Sequence, residues 1–368
     1  MMDGGGQSAD FFQGSNEKRE DIAMLTFQDL VHWLEGGGHV AVFDATNTTV
    51  NRRDKVREWC KKANLPDPVF VESICYDEQV LDRNYRMKLA NEDYKHTDHD
   101  VAMADFLERV RAYEKVYEPV GTGSEGDNFP YIKLFNVGLK VVVNRCYGFL
   151  TSQIVTILQN FHINPRRIFL TRHGESEDNE AEKLGGNSKL TPKGVEYARR
   201  LAAFIQDQRS DSTSPEFMVA TSAMRRAIDT VKPLKKAVTD QPVFFLHTNQ
   251  LNEIHAGSFE GMSYEEIKFR NPKEFAARQK DKLGYRYPMG ESYLDVIMRL
   301  SPWVLDLERL RQDVLVVSHQ ACLRAVMGYF LGTDIEQVPY LDVPLHCVLE
   351  MTPEAYGCKV VKHDLFAE

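Results

Sequence analysis

Four short stretches carry side chains that phosphoryl-transfer chemistry can use: Leu170-Thr171-Arg172-His173-Gly174-Glu175-Ser176, Thr221-Ser222-Ala223-Met224-Arg225-Arg226, Leu251-Asn252-Glu253-Ile254 and Val317-Ser318-His319-Gln320. A neutral imidazole can attack phosphorus directly, and His173, beside Arg172 at a tight glycine-containing turn, is the candidate nucleophile. The group in transfer spreads negative charge over its oxygens. Planar guanidiniums match those oxygens in pairs, which makes Arg172 and Arg226 the candidate phosphoryl ligands. An alkoxide leaves poorly unless it is protonated, so a carboxylic acid kept neutral by its surroundings is wanted, and Glu253 fits. His319 would contact the phosphoryl oxygens as a second imidazole and stabilise the transition state. This chemistry needs no metal.

Taken singly, each residue has a plainer account. A histidine after a strand is more often a hydrogen-bonded structural residue, and Arg225-Arg226 alone is most often a solvated helix face. Position separates the set from coincidence. Every stretch ends or follows a predicted strand, and in an α/β sheet the carboxyl ends of parallel strands share one edge, where distant residues can converge.

The elements that must position them follow from periodicity. Strands are predicted at Ile168-Phe169-Leu170 and over 217–220, 243–246 and 314–317. Thr191-Pro192 reads as an N-cap and first-turn proline, with Ala198, Leu201, Ala202 and Ile205 as the buried stripe of the helix beyond. Upstream, Phe27, Leu30, Val31 and Leu34 recur at helical spacing and Gly36-Gly37-Gly38 stops that helix. Two short apolar runs, 39–44 and 69–74, separated by a helical stretch, suggest parallel strands with crossover helices. The segment 121–128 is a loop by composition, 131–134 and 141–144 read as strands, and Leu150, Ile154, Ile157, Leu158 and Phe161 form one helical face. Asn164-Pro165 then breaks the chain, which puts a domain boundary near residue 165.

Composition narrows the partners. With 54 acidic against 45 basic residues and a net charge of -9, the 368-residue chain has no broad basic field for gripping nucleic acid, although a local arginine cluster still admits small anions. The cysteines at 60, 75, 146, 322, 347 and 358 stand singly, which fits neither a zinc site nor a disulfide framework and points to a reducing cytoplasm. No apolar run reaches transmembrane length, and the first residues lack the basic and apolar parts of a secretory signal. The expectation is a cytoplasmic protein with no nucleic-acid or membrane partner.

Residues from about 167 to 365 resemble the phosphatase half of the 6-phosphofructo-2-kinase/fructose-2,6-bisphosphatase family, within the histidine phosphatase superfamily that includes phosphoglycerate mutase. Besides Arg172-His173-Gly174-Glu175-Ser176-Glu177, the resemblance rests on Tyr264-Glu265-Glu266-Ile267, Tyr285-Arg286-Tyr287-Pro288 and Gly290-Glu291-Ser292-Tyr293. Pro339-Tyr340-Leu341, Pro344-Leu345-His346 and Ala355-Tyr356-Gly357-Cys358-Lys359-Val360 add to it. It implies His173 as the phosphorylated intermediate, Glu253 as proton donor and acceptor, and Arg172, Arg226 and His319 as phosphoryl ligands. It also implies contacts to a bisphosphorylated sugar at Asn179, Gly185, Tyr264, Arg278, Lys282, Tyr293, Gln320 and Arg324. Without the family, those charges are ordinary surface residues and those tyrosines ordinary rim or core aromatics. His255 departs from the pattern, standing where the family commonly has an acid after Asn-Glu-Ile, a change that could shift the pKa of Glu253.

The resemblance continues upstream, from about Ser8-Ala9-Asp10-Phe11-Phe12 through residue 165, to the kinase half of the same family, most recognisably at 42–49. Asp44, ending a predicted strand, is placed to bind magnesium or to accept the sugar hydroxyl's proton; a helix-capping Asp is the plainer account. The family match adds Thr46, Arg52, Lys88, Arg109 and Tyr113 as contacts to fructose 6-phosphate, and Cys75 either lines that site or is a buried structural cysteine. ATP and Mg would serve that domain if it were intact, and the phosphatase would need no cofactor. Yet no Gly-x-x-x-x-Gly-Lys-Ser/Thr loop occurs in these residues, so the chain is expected to be N-terminally truncated, to bind ATP poorly there and to be marginally stable in its first half.

The expected fold is α/β in two domains. Residues 1–15 form a flexible N-terminus, and 16–165 an incomplete P-loop-kinase-like parallel-sheet domain lacking its P-loop strand. Residues 166–368 form a histidine-phosphatase, phosphoglycerate-mutase-like, three-layer α/β/α domain. The expected activity is hydrolysis of the 2-phosphate of fructose 2,6-bisphosphate to fructose 6-phosphate, with a homodimer implied by the family. The alternatives are a phosphoglycerate-mutase-type phosphotransferase and a catalytically silent, sugar-phosphate-binding regulatory homologue.

Overall fold

Phe27 and Val31, one turn apart on α1 (Asn16–Glu35), pack in one core with Val56 and Cys60, one turn apart on α2 (Val50–Lys62). This is the apolar spacing seen in the sequence, and it begins the first of two units, Met1–Phe161 and His162–Glu368. The computed structural model describes residues 16–89, 98–123, 125–162, 165–210, 216–238, 242–354 and 357–367. The expected flexible stretch 1–15 lies outside them.

In the first unit, β1 (Phe70–Ile74) pairs in parallel with β2 (Tyr131–Phe135), and β2 pairs antiparallel with β3 (Lys140–Asn144). Helices α3 (Glu78–Leu89) and α4 (His99–Val116) lie between β1 and β2, and α5 (Phe149–Asn160) follows β3. The loop predicted over 121–128 is pinned by Glu125, whose carboxylate takes Arg53 Nε at 2.7 Å and Nη2 at 2.8 Å in a buried pair.

One predicted strand does not form. Residues 39–44 have no strand assignment, and Val42 is 85% exposed. An apolar run shows only that a segment suits a sheet; a strand also needs a neighbour to complete its backbone hydrogen bonds, and no described strand pairs with this one. Asp44 therefore does not end a strand.

The second unit is built on a sheet of order β6-β5-β7-β4-β8-β9, made of β4 (Ile168–Arg172), β5 (Phe217–Ser222), β6 (Val243–Thr248), β7 (Asp313–Ser318), β8 (Cys347–Glu354) and β9 (Gly357–Asp364). The first four in that order are parallel, and β8 and β9 add antiparallel partners beyond β4. Side chains alternate across it. Ile168, Leu170, Val314 and Val316 enter one core, while Phe169, Leu315 and Val317 enter the other. Burial on both faces is why these strands read as continuous apolar runs.

Helices close each face. Leu201 and Ile205 of α7 (Pro192–Ser210) and Val231 and Leu234 of α8 (Arg225–Ala237) cover one side; α6 (Glu177–Glu180) is a single turn before them. After α9 (Tyr264–Arg270) and α10 (Pro272–Lys280), the helices α11 (Tyr293–Arg309) and α12 (Gln320–Leu331) cover the other with Leu300, Leu307, Leu323 and Val326. The result is the expected three-layer α/β/α arrangement. No described helix is long and apolar enough to cross a membrane.

Candidate active site

Strand register brings the four stretches together. Arg172 of β4 lies opposite Ser318 of β7, and Ser222 of β5 opposite Thr248 of β6, so the residues that follow leave the sheet at the same edge. His173 N donates to the Ser318 carbonyl at 3.0 Å, and the rings of His173 and His319 stand 4.9 Å apart.

His173 is held in one tautomer. A carbonyl oxygen only accepts, so the 2.7 Å contact from Nδ1 to the Gly174 carbonyl places the proton on Nδ1. Nε2 keeps its lone pair, and Arg226 Nε donates to it at 2.9 Å. Burial, and then the neighbouring Arg226 charge, push the His173 pKa well below the ordinary imidazole value, which keeps the ring neutral. The turn at Gly174 admits no side chain: an added Cβ would stand 2.5 Å from the Gly194 carbonyl oxygen.

His319 is wholly buried. Its Nε2 lies 2.7 Å from Ser222 Oγ, while its Nδ1 is buried without a partner in the described structure. Burial first, and His173 second, lower its pKa well below the usual value. Arg172 reaches the Val343 carbonyl at 3.4 Å through Nη1 and has its Nε buried and unpartnered. An orphaned buried donor such as Arg172 Nε costs free energy, and an anionic guest would satisfy it. Burial pulls the Arg172 and Arg226 guanidiniums down from their ordinary value, opposed by Glu253, and a guanidinium stays cationic in a protein. Glu253 follows the turn Asn249–Leu251, and its Oε1 accepts from Ile254 N at 2.9 Å and from Ala321 N, in the first turn of α12, at 3.3 Å.

A cleft of about 510 Å³ opens beside these groups, and His319, wholly buried, is not among its lining residues. Arg172, His173, Arg226 and Glu253 line it, as do all eight residues expected to contact a sugar bisphosphate, Asn179, Gly185, Tyr264, Arg278, Lys282, Tyr293, Gln320 and Arg324. Arg278 donates through Nη2 to Tyr264 Oη at 2.7 Å and through Nε to Tyr287 Oη at 2.8 Å. Arg324 donates to Tyr293 Oη at 3.1 Å and to the Leu341 carbonyl at 2.7 Å. Lys282 Nζ donates to the Pro339 carbonyl at 2.8 Å and sits 4.6 Å over the Tyr340 ring. Burial, with Arg324 and Arg278 nearby, lowers its pKa to about 8. Asn179 Oδ1 accepts from Ser176 N and Oγ in a capping box that fixes α6. Gly185, at φ +66°, could carry no Cβ without striking the Glu260 carboxylate, which itself accepts from Gly186 N.

Some contributors escape a reading by residue type. Ser222 holds His319, Thr230 Oγ1 accepts from Gly174 N at 2.9 Å, and Tyr287 orients Arg278. A strand-end serine beside a candidate arginine was the available signal for the first; the others depend on contacts between distant elements. His255 is exposed, and its Nδ1 accepts from Gly257 N at 3.2 Å.

The candidate residues of the first unit are placed differently. Asp44 and Thr46 are exposed on the irregular segment before α2, and the Arg52 guanidinium on α2 stands 6.0 Å from the Phe43 ring. Cys75 is half-buried just after β1, Lys88 is exposed at the end of α3, and Arg109 and Tyr113 lie one turn apart on α4.

Comparison with known proteins divides the chain in the same order. Residues 2–165 match the model for 6-phosphofructo-2-kinase, and residues 168–365 match the model for branch 1 of the histidine phosphatase superfamily. The chain is 44% identical over 360 residues to 6-phosphofructo-2-kinase/fructose-2,6-bisphosphatase 4 of Homo sapiens, a match covering 96% of this chain and 74% of that one. It is 43% identical over 357 residues to 6-phosphofructo-2-kinase/fructose-2,6-bisphosphatase of Gallus gallus, covering 95% and 73%. Similarity of this extent across both units means that the chain belongs to the 6-phosphofructo-2-kinase/fructose-2,6-bisphosphatase family.

Proposed function

We propose that this chain, an enzyme of fructose 2,6-bisphosphate metabolism, hydrolyses the 2-phosphate of fructose 2,6-bisphosphate through a phosphohistidine at His173. The observation that carries this reading is the His173 imidazole itself, buried, with its proton fixed on Nδ1 and its Nε2 lone pair facing Arg226. The 2-phosphate would sit at Arg172 and Arg226 beside His173, with the buried His319 ring 4.9 Å from that of His173, and the 6-phosphate would be met by Arg278, Lys282 and Arg324, which line the same cleft.

In the first step Nε2 bonds to phosphorus, the bond to the sugar oxygen breaks, and Glu253 delivers its proton to that oxygen, releasing fructose 6-phosphate. In the second, water attacks phosphorus, its proton passes to Glu253, and inorganic phosphate leaves as the N–P bond breaks. Arg172 and Arg226 offset the charge on the transferring oxygens throughout.

The described residues of the first unit do not fit ATP or magnesium. Asp44 is exposed on a segment without a strand partner, and these residues contain no glycine-rich loop with a following lysine that could cradle a triphosphate. A cytoplasmic setting is supported by the six cysteines, all of which are free thiols.

The test is labelling. Fructose 2,6-bisphosphate labelled in its 2-phosphate should give an acid-labile phosphoenzyme and then inorganic phosphate. An unlabelled wild type, or equal labelling of His173→Ala, would sink the proposal; return of the label to a sugar or acid instead of release as phosphate would favour a mutase.

A further inference from the structure

A general acid works only if its carboxyl stays within hydrogen-bond reach of the departing oxygen. Glu253 lies in neither helix nor strand, between the turns Asn249–Leu251 and Gly257–Phe259, where no ladder of its own sets its place. Ser318 Oγ donates to the Leu251 carbonyl and Cys322 Sγ to the Asn252 carbonyl, and two further side chains, paired with each other, hold this stretch on both sides of Glu253. Arg299, on α11, donates through Nη1 to the Gln250 carbonyl and through Nη2 to the Asn252 carbonyl at 3.1 Å. The same guanidinium forms a bidentate pair with Glu291, Nε to Oε1 at 2.8 Å and Nη2 to Oε2 at 3.0 Å.

Glu291 completes the grip from the other side. Its Oε2 accepts from His255 N at 2.9 Å, and its own N donates to the His255 carbonyl at 2.9 Å. The carbonyl just before Glu253 and the N–H two residues after it are thus tied to one ion pair. Neither partner lines the cleft, so the pair acts on the proton donor without touching a guest. Bidentate geometry makes it more than an incidental surface contact, because a planar fork fixes direction as well as distance.

We propose that Arg299 and Glu291 form a positioning clamp for Glu253, holding the backbone on both sides so that the carboxyl stays aimed at the leaving oxygen. This rests on the reading of Glu253 as proton donor. A merely structural pair would affect every substrate alike; a clamp on the acid affects only a leaving group that needs a proton.

The full chain is therefore assayed for the rate of its first turnover with two esters. Fructose 2,6-bisphosphate requires protonation of the departing sugar oxygen, whereas 4-nitrophenyl phosphate releases a stable phenolate without it. In Arg299→Gln, and in the isosteric Glu291→Gln, the sugar reaction should slow on the order of 100-fold while 4-nitrophenolate release keeps its wild-type rate. Glu253→Gln should show the same selectivity, and the Glu253→Gln, Arg299→Gln double variant should be no slower than Glu253→Gln alone. Equal losses on both esters, or no loss on either, overturn the clamp. If Glu253→Gln is itself unselective, the assignment of the proton donor fails and the clamp falls with it; if Glu253→Gln is selective and the clamp variants are not, the clamp alone fails. Should Arg299→Gln not fold, Glu291→Gln decides the matter.

Discussion

Arg226 Nε stands 2.9 Å from His173 Nε2, so a cation that would neutralise the incoming phosphoryl group already marks the nitrogen proposed to attack it. That guanidinium is also tied by Nη1 to the Gly186 carbonyl at 2.7 Å, which fixes its plane. Replacing it with lysine keeps a charge and loses the fork. Arg226→Lys should lower kcat/KM for fructose 2,6-bisphosphate by roughly 100- to 1000-fold, the range for removing one preorganised donor to a transition state. Steady-state kinetics would check this, and a loss under tenfold would argue against a bidentate role.

The two buried imidazoles make stability depend on pH in a definite direction. Their pKa values in the fold lie well below 6.5, the ordinary value, so below about pH 6.5 the unfolded chain binds protons that the folded one refuses. Their contribution is complete above that pH and declines as the pH falls. Thermal unfolding of wild type and His319→Gln between pH 7.5 and 5 should show a steeper loss in wild type. An equal slope in both would mean that His319 takes up its proton without cost in the fold.

Lys282 should titrate near pH 8. With its pKa lowered to about 8, the free site loses this cation as the pH rises through that value, and attraction for the second phosphate weakens. kcat/KM for fructose 2,6-bisphosphate should fall above pH 8 in wild type. Lys282→Arg, which cannot deprotonate there, should flatten that limb. Persistence of the same decline in the arginine variant would assign it to another group.

In the first unit, Arg53 and Glu125 are buried together, with side chains 1% and 0% exposed. Removing one member strands the other charge, at a cost of about 3–5 kcal/mol. Arg53→Met should therefore raise amide hydrogen exchange across β1 and β2, read at Ile132, before the sheet of the second unit is affected. Unchanged exchange at Ile132 would show that Glu125 finds another partner.

Much of the second unit was legible because its signals are local. Ile168, Phe169 and Leu170 are consecutive and apolar, as a strand buried on both faces must be, and Thr191-Pro192 opens a helix whose buried stripe has helical spacing. The candidate chemistry of His173, Arg172, Arg226, Glu253 and His319 is likewise a property of side-chain type, at or just beyond the end of a strand. The run 39–44 misled for a related reason: its apolar pattern suits a strand, but pairing is a relation between two segments.

The sequence by itself determined which side chains are available and which short segments suit a helix or a strand, since capping, periodicity and side-chain chemistry operate over a few residues. Only the tertiary structure decided that Arg172 faces Ser318 and so sets His173 beside His319, that Ser222 holds His319, and that Arg299 and Glu291 grip the stretch around Glu253. Each of those is a contact between residues far apart in the chain or a matter of strand register, and periodicity within one segment carries no record of either.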